Sequence, residues 1–187
     1  MSVNKSGGGN KTNINWLKFE QETSLNEALL CLKGYSIREH TILYNNKEIG
    51  LSVSQTKLYT KFLKEKGINY KNYVSKQYRP DEALYLYSTN TMYIIEKKFQ
   101  HGGGSVDEKL QTCDFKKSIF TKLLAPLNIN VEYIYVLNDW FKRDCYNDVL
   151  EYIISKNCYY YYNEIPLTKL PLPHNKISTD NFIRSEE

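Results

Sequence analysis

Pro80 to Gln100 reads PDEALYLYSTNTMYIIEKKFQ. Ala83–Tyr87 and Met92–Phe99 are rich in apolar and aromatic residues, as strands are. Ser88-Thr89-Asn90-Thr91 between them has turn composition, so the stretch predicts a β-hairpin. With the turn centred on Thr89-Asn90, Asp81 falls opposite Lys98, one step along from Glu96. Side chains alternate faces along a strand, so Glu96 and Lys98 point the same way. A cross-strand partner shares its neighbour's face, which brings Asp81 to them. Gln100 continues that face. Lys97 points to the other side, beside Tyr93 and Ile95, where a packing or peripheral role is expected. Glu82 alternates away from Asp81 and reads as a surface or supporting group.

Upstream, Ser52–Lys66 reads as a helix that ends at Gly67, with Leu58, Phe62 and Leu63 inside and Lys57, Lys61 and Lys64 on its other face. From Lys57 to Arg79 there are seven basic residues and one acidic residue, Glu65. Further upstream, Thr41–Tyr44 suits a strand and Asn45-Asn46 a turn. Trp16–Lys33 reads as helical, with Trp16, Phe19, Ala28, Leu29 and Leu32 available to a core. Ser24 and Glu27 form a capping box that would divide it in two, and Gly34 stops it. Downstream, three glycines lead to Ser105, which opens a long helix with Glu108 completing a second capping box. Val106, Leu110, Cys113, Phe120 and Leu124 give that helix an apolar stripe, and Pro126 lies past its end. Val131–Leu137 is a strand apolar enough to be buried on both faces. Asp144–Lys156 reads as a helix carrying Val149, Leu150, Ile153 and Ile154, and Cys158–Tyr162 as a last strand. The expected organisation is a flexible arm over 1–13, one α/β domain over 14–165 with a central mixed sheet flanked by helices, and a loose tail over 166–187 introduced by Pro166, Pro171 and Pro173.

Composition sets the limits. The chain has 187 residues, 41% hydrophobic and 25% charged, which suits a folded domain rather than a disordered chain or a disulfide-held miniprotein. Net charge is +4, which permits a nucleic-acid partner without requiring one. No stretch approaches the ~20 apolar residues that span a bilayer, and Met1–Asn15 has no apolar core of a secretory signal. Cys31, Cys113, Cys145 and Cys158 have no zinc-site spacing and read as reduced thiols of a cytoplasmic protein.

Two carboxylates and an ammonium at the open end of a hairpin have a chemical use. Close carboxylates repel unless a cation sits with them. Mg²⁺ takes oxygen ligands, with one or two carboxylates completed by water and substrate phosphate. It offsets charge on a phosphoryl transition state and acidifies bound water. The adjacent lysine orients or helps deprotonate the attacking water, or stabilises the developing charge. A Glu-Lys-Lys run alone is an ordinary solvated strand end; the facing Pro-Asp gives it its meaning.

Pro80-Asp81 followed by a strand, a turn and Glu96-Lys97-Lys98 resembles the signature of the PD-(D/E)XK nuclease superfamily. The order helix, hairpin, long helix, strand from about residue 16 to 137 is similar to its αβββαβ restriction-endonuclease-like core. The run from Glu96 to Gln100 with Gly104 to Thr112 resembles stretches of type II restriction endonucleases. The resemblance implies Mg²⁺-dependent cleavage of double-stranded DNA at a short specific sequence. Asp81 and Glu96 become metal ligands and Lys98 the catalytic lysine, with Gln100 as an accessory. An acidic residue of the first helix would join them, and Glu20, Glu22 and Glu27 are candidates. Lys57, Lys61, Lys64, Arg79, Ser105 and Lys109 are candidates for DNA-backbone contacts, and Lys116 is a further basic residue on the same helix as Lys109. One site per chain implies a homodimer on a palindromic duplex, and a cognate DNA methyltransferase in the same system. Two other readings stay open: a structure-specific junction or repair nuclease, and a DNA-binding protein with a vestigial site.

Overall fold

Short strands separated by polar turns begin at Tyr35 and assemble into a seven-stranded mixed sheet, the centre of an α/β fold. The structure, a computed structural model, describes residues 16–19, 23–101 and 106–174. The expected arm over 1–13, Glu20, Glu22, the Gly102–Ser105 loop and residues 175–187 lie outside the described residues. In chain order the elements are β1 (Trp16–Lys18), α1 (Leu25–Leu30), β2 (Tyr35–Arg38), β3 (Thr41–Tyr44), β4 (Lys47–Ser52), a π-helical segment (Leu58–Leu63), β5 (Glu82–Leu86), β6 (Thr91–Lys98), α2 (Val106–Leu110), α3 (Cys113–Leu124), β7 (Asn130–Leu137), α4 (Asn147–Ser155), β8 (Tyr159–Tyr162) and β9 (Glu164–Pro166). Sheet order is β2-β3-β4-β5-β6-β7-β8. Pairing is antiparallel from β2 to β6 and parallel for β6-β7 and β7-β8. β1 and β9 form a separate antiparallel ribbon. Among the described residues no helix is long and apolar enough to cross a membrane.

Alternation sorts the core into two layers. Met92 and Ile94 of β6, with Val131, Tyr133, Tyr135 and Leu137 of β7, pack under α3, α4 and the Leu58–Leu63 segment. Tyr93 and Ile95, with Ile134 and Val136, pack under α1, the β1-β9 ribbon and Leu167–Leu172. β7 is therefore buried on both faces, as its run of apolar residues predicts. Asn45 and Asn46 both sit at positive φ and close the β3-β4 hairpin in two residues, the turn their identities predict.

Several expectations are corrected. Trp16–Lys18 is a strand, not the start of a helix, because its pairing with Glu164–Pro166 outweighs local propensity; only the part after the Ser24–Glu27 capping box is helical. Ser52 ends β4, its N–H donating to the His40 carbonyl, and helical bonding starts only at Thr56 after Gln55 turns at positive φ. The long helix breaks at Gln111-Thr112, where the Thr112 hydroxyl bonds back to the Lys109 carbonyl at 2.8 Å. Ile154 is exposed. β8 is followed by β9, and the proline-bearing segment is not loose: Leu167, Leu170 and Leu172 between its prolines are buried, so the packed domain runs past 165.

β4 lies so close to β5 that a Cβ at Gly50 would collide with the Tyr85 carbonyl. Gly50→Ala is expected to cost about 1–3 kcal/mol, the usual penalty of overpacking. Urea unfolding should show a lower midpoint with an unchanged slope.

Candidate active site

The open end of the β5-β6 hairpin is fixed by backbone before any side chain acts. The Gln55 N–H donates to the Pro80 carbonyl at 3.0 Å and the Val53 N–H to the Ala83 carbonyl at 2.9 Å, tying the start of β5 to the end of β4. The hairpin register pairs Glu82 with Ile95 and Leu86 with Thr91. This is two residues from the expected register, so Asp81 comes opposite Glu96 rather than Lys98. A slip of two preserves every face, which is why the predicted grouping survives. The Lys97 N–H then donates to Asp81 Oδ2 at 3.0 Å, fixing that carboxylate against β6.

Asp81, Glu96 and Lys98 converge. Lys98 Nζ is 3.0 Å from Glu96 Oε2 and 3.6 Å from Asp81 Oδ2, and it donates to the Lys97 carbonyl at 3.1 Å. The Glu96 side chain is 6% exposed and that of Asp81 34%, so the pair opens to solvent on the aspartate side. A fourth group completes the set. Lys116 of α3 reaches down with Nζ 3.1 Å from the same Glu96 Oε2. Below lie Tyr133 and Tyr135, fully buried, their rings edge to face at 5.3 Å. Burial first, and then the nearby Glu96 charge, holds the Tyr133 phenol far above its ordinary range, so this floor stays neutral. The two carboxylates and two ammoniums cancel in formal charge.

The sequence signal for Lys116 lies in the helix period. Cys113 and Phe120 are buried, and Lys116 stands three residues after the one and four before the other, in the inward stripe of α3. A lysine in that stripe needs a buried anion, and Glu96 provides it.

The opposite face corrects the expectation for Glu82, which is buried rather than on the surface. Desolvation raises its pKa, against a backbone hydrogen bond donated by Leu25 and the charge of Lys97. Lys97 Nζ lies 3.9 Å from Glu82 Oε1 and donates to the Thr23 carbonyl at 2.8 Å. Lys97 therefore clamps α1 to the motif strand and does not face solvent. Glu27 is not brought to Asp81 and Glu96. It sits on α1, under the other face, with its carboxylate held by the Ser24 N–H at 2.7 Å. Glu20 and Glu22 lie outside the described residues.

Gln100 is buried just past β6, its N–H and carbonyl both bonded to the Asn138 side chain beyond β7. Lys57, Lys61, Lys64, Arg79 and Lys109 are exposed, while Ser105 is outside the described residues. The lysine-bearing turns around Leu58–Leu63 pack on the same sheet face as α3, the face that carries Asp81, Glu96 and Lys98. Tyr78 and the half-exposed Phe115 meet edge to face at 5.9 Å, next in sequence to Arg79 and to Lys116.

No group of three or more His, Cys, Asp or Glu side chains gathers among the described residues. Two carboxylates are nevertheless the number that Mg²⁺ uses when water and a phosphate fill its other positions. The donor set fits in one further respect: Asp81 Oδ2 and Glu96 Oε2 both approach a single cationic atom, the Lys98 nitrogen. Comparison with protein-family models, with curated proteins and with solved structures gave no match.

Proposed function

We propose that this chain is a Mg²⁺-dependent nuclease of the PD-(D/E)XK type that cuts double-stranded DNA as a type II restriction endonuclease. The observation that carries the reading is the meeting of Asp81, Glu96 and Lys98 within hydrogen-bond or ion-pair reach at one end of a hairpin. The sheet supports it: β4-β5-β6 are antiparallel, β7 runs parallel to β6 after α2 and α3, and the motif sits at the start of β5 and the end of β6. A mixed sheet with a helical crossover between β6 and β7 is compatible with an αβββαβ core.

Asp81 and Glu96 would hold the ion, and when bound Mg²⁺ supplies charge stabilisation to the phosphate under attack. The chain's own groups do the rest. The Lys97 N–H holds the Asp81 carboxylate against β6, within reach of the Lys98 ammonium that Glu96 shares. The Lys98 ammonium, held by its own strand's carbonyl, donates to the attacking water or to the phosphate oxygen that gains charge. The tyrosine floor excludes water beneath Glu96 and strengthens these interactions. Lys57, Lys61, Lys64, Arg79 and Lys109 are exposed cations available to neighbouring phosphates. In this reading the protein works in the cytoplasm, as two copies on a palindromic duplex, beside a methyltransferase that protects the host sites.

Incubation of intact duplex plasmids with the protein and Mg²⁺ tests this directly. Discrete bands with one end sequence are expected, and sedimentation on a cognate duplex should show two chains per DNA. Cleavage confined to branched substrates would replace restriction by a structure-specific nuclease. No cleavage of any duplex or branched DNA would leave a binding protein.

A further inference from the structure

We propose that Lys116 is a built-in counter-cation of the Asp81–Glu96 pair, one that leaves Glu96 when a divalent cation binds and then serves the phosphate of the bound strand. The inference rests on the nuclease reading for its second half only. Two ammoniums share one oxygen: Lys98 Nζ at 3.0 Å and Lys116 Nζ at 3.1 Å from Glu96 Oε2. With Asp81 and Glu96 ionised and both lysines charged, the cluster is neutral without metal. Adding a divalent cation at the same carboxylates leaves a formal charge of about +2 among groups a few ångströms apart, in a poorly hydrated place. One ammonium has to give way.

Geometry selects which one. Lys98 is bound three ways, to Glu96, to Asp81 and to the Lys97 carbonyl of its own strand, and its side chain is 15% exposed. Lys116 comes from the opposite wall, its ammonium meets Glu96 alone among the described residues, and its side chain is 29% exposed. Its side chain already reaches solvent, so its long stem can turn outward. The same ammonium thus holds the Glu96 carboxylate in place before metal arrives, and is freed as a phosphate contact once it does.

The test is the binding of Mn²⁺ alone to DNA-free protein, followed by titration calorimetry or by the loss of the free-ion electron paramagnetic resonance signal. Lys116→Met keeps the stem and removes the charge. It should bind Mn²⁺ about tenfold more tightly than the natural protein, since metal no longer has to break the ion pair. Lys116→Arg should bind like the natural protein, and Asp81→Asn should bind far more weakly. In single-turnover cleavage Lys116→Met should be slower at saturating Mg²⁺, opposite in sign to its gain in affinity. A lysine that merely supports the fold would lower both. Equal or weaker Mn²⁺ binding by a folded Lys116→Met, with Lys116→Arg folded as the control, overturns the proposal. Tighter Mn²⁺ binding without cleavage of any DNA by the natural protein would uphold the counter-cation and sink the nuclease reading instead.

Discussion

Asp81→Asn and Glu96→Gln are each expected to lose roughly 10³-fold or more in Mg²⁺-dependent cleavage of duplex DNA while still binding it. Both changes keep shape and remove charge. Asparagine at 81 retains an oxygen for the Lys97 N–H, so the hairpin end should stay closed and the melting temperature should change little. Glutamine at 96 is costlier to the fold. It leaves two ammoniums, Lys98 and Lys116, facing a neutral amide, at about 1–3 kcal/mol, lessened by the partial exposure of Lys116. Duplex affinity in Ca²⁺, read by fluorescence anisotropy, should persist, because the exposed lysines and not the carboxylates attract phosphate. Without any metal both variants should bind DNA at least as well as the natural protein, since a negative charge beside the strand is gone. Cleavage near the natural rate by either folded variant would remove Asp81 and Glu96 from the chemistry.

The hairpin and its charges were legible because they depend on parity alone. Asp81, Glu96 and Lys98 share a face in any register that differs by an even number of residues, so an error of two in the turn left the grouping intact. β7 and the Asn45-Asn46 turn were legible for a similar reason: an unbroken apolar run and two asparagines each admit few structures. What stayed hidden depends on distant partners. Trp16–Lys18 becomes a strand only because Glu164–Pro166, far along the chain, pairs with it. Leu167, Leu170 and Leu172 read as a tail because the prolines dominate locally, whereas the sheet face they cover is built from residues scattered between Tyr35 and Val136. Lys116 was visible as a basic residue on the right helix, but its partner across the layer was not. Glu82 illustrates the limit of alternation: it correctly gives the face opposite Asp81, yet says nothing about whether that face is covered, and α1 covers it.

Lys98→Ala and Lys97→Ala should fail in different ways, although the residues are neighbours. Lys98 lies on the Asp81–Glu96 face, so its loss removes the ammonium that meets both carboxylates and, in the nuclease reading, should slow single-turnover cleavage about 10²–10⁴-fold. Its removal leaves Glu96 still paired with Lys116, so thermal stability should fall only modestly. Lys97 lies on the other face, where it holds the Thr23 carbonyl and faces the buried Glu82 carboxylate. Lys97→Ala leaves that carboxylate with the Leu25 N–H but without its cation, and should cost about 1–3 kcal/mol of stability. Its cleavage rate, measured well below the lowered melting point, should stay within a few fold of the natural protein. Lys97→Met with Glu82→Gln removes both charges at once and should recover much of the lost stability, because the penalty belongs to the unpaired charge rather than to the missing pair. The contrast tests the face assignment itself. An inactive Lys97→Ala with unchanged melting, beside an active Lys98→Ala, would put the chemistry under α1 with Glu82 and remove the basis for reading Glu96-Lys97-Lys98 as a nuclease motif.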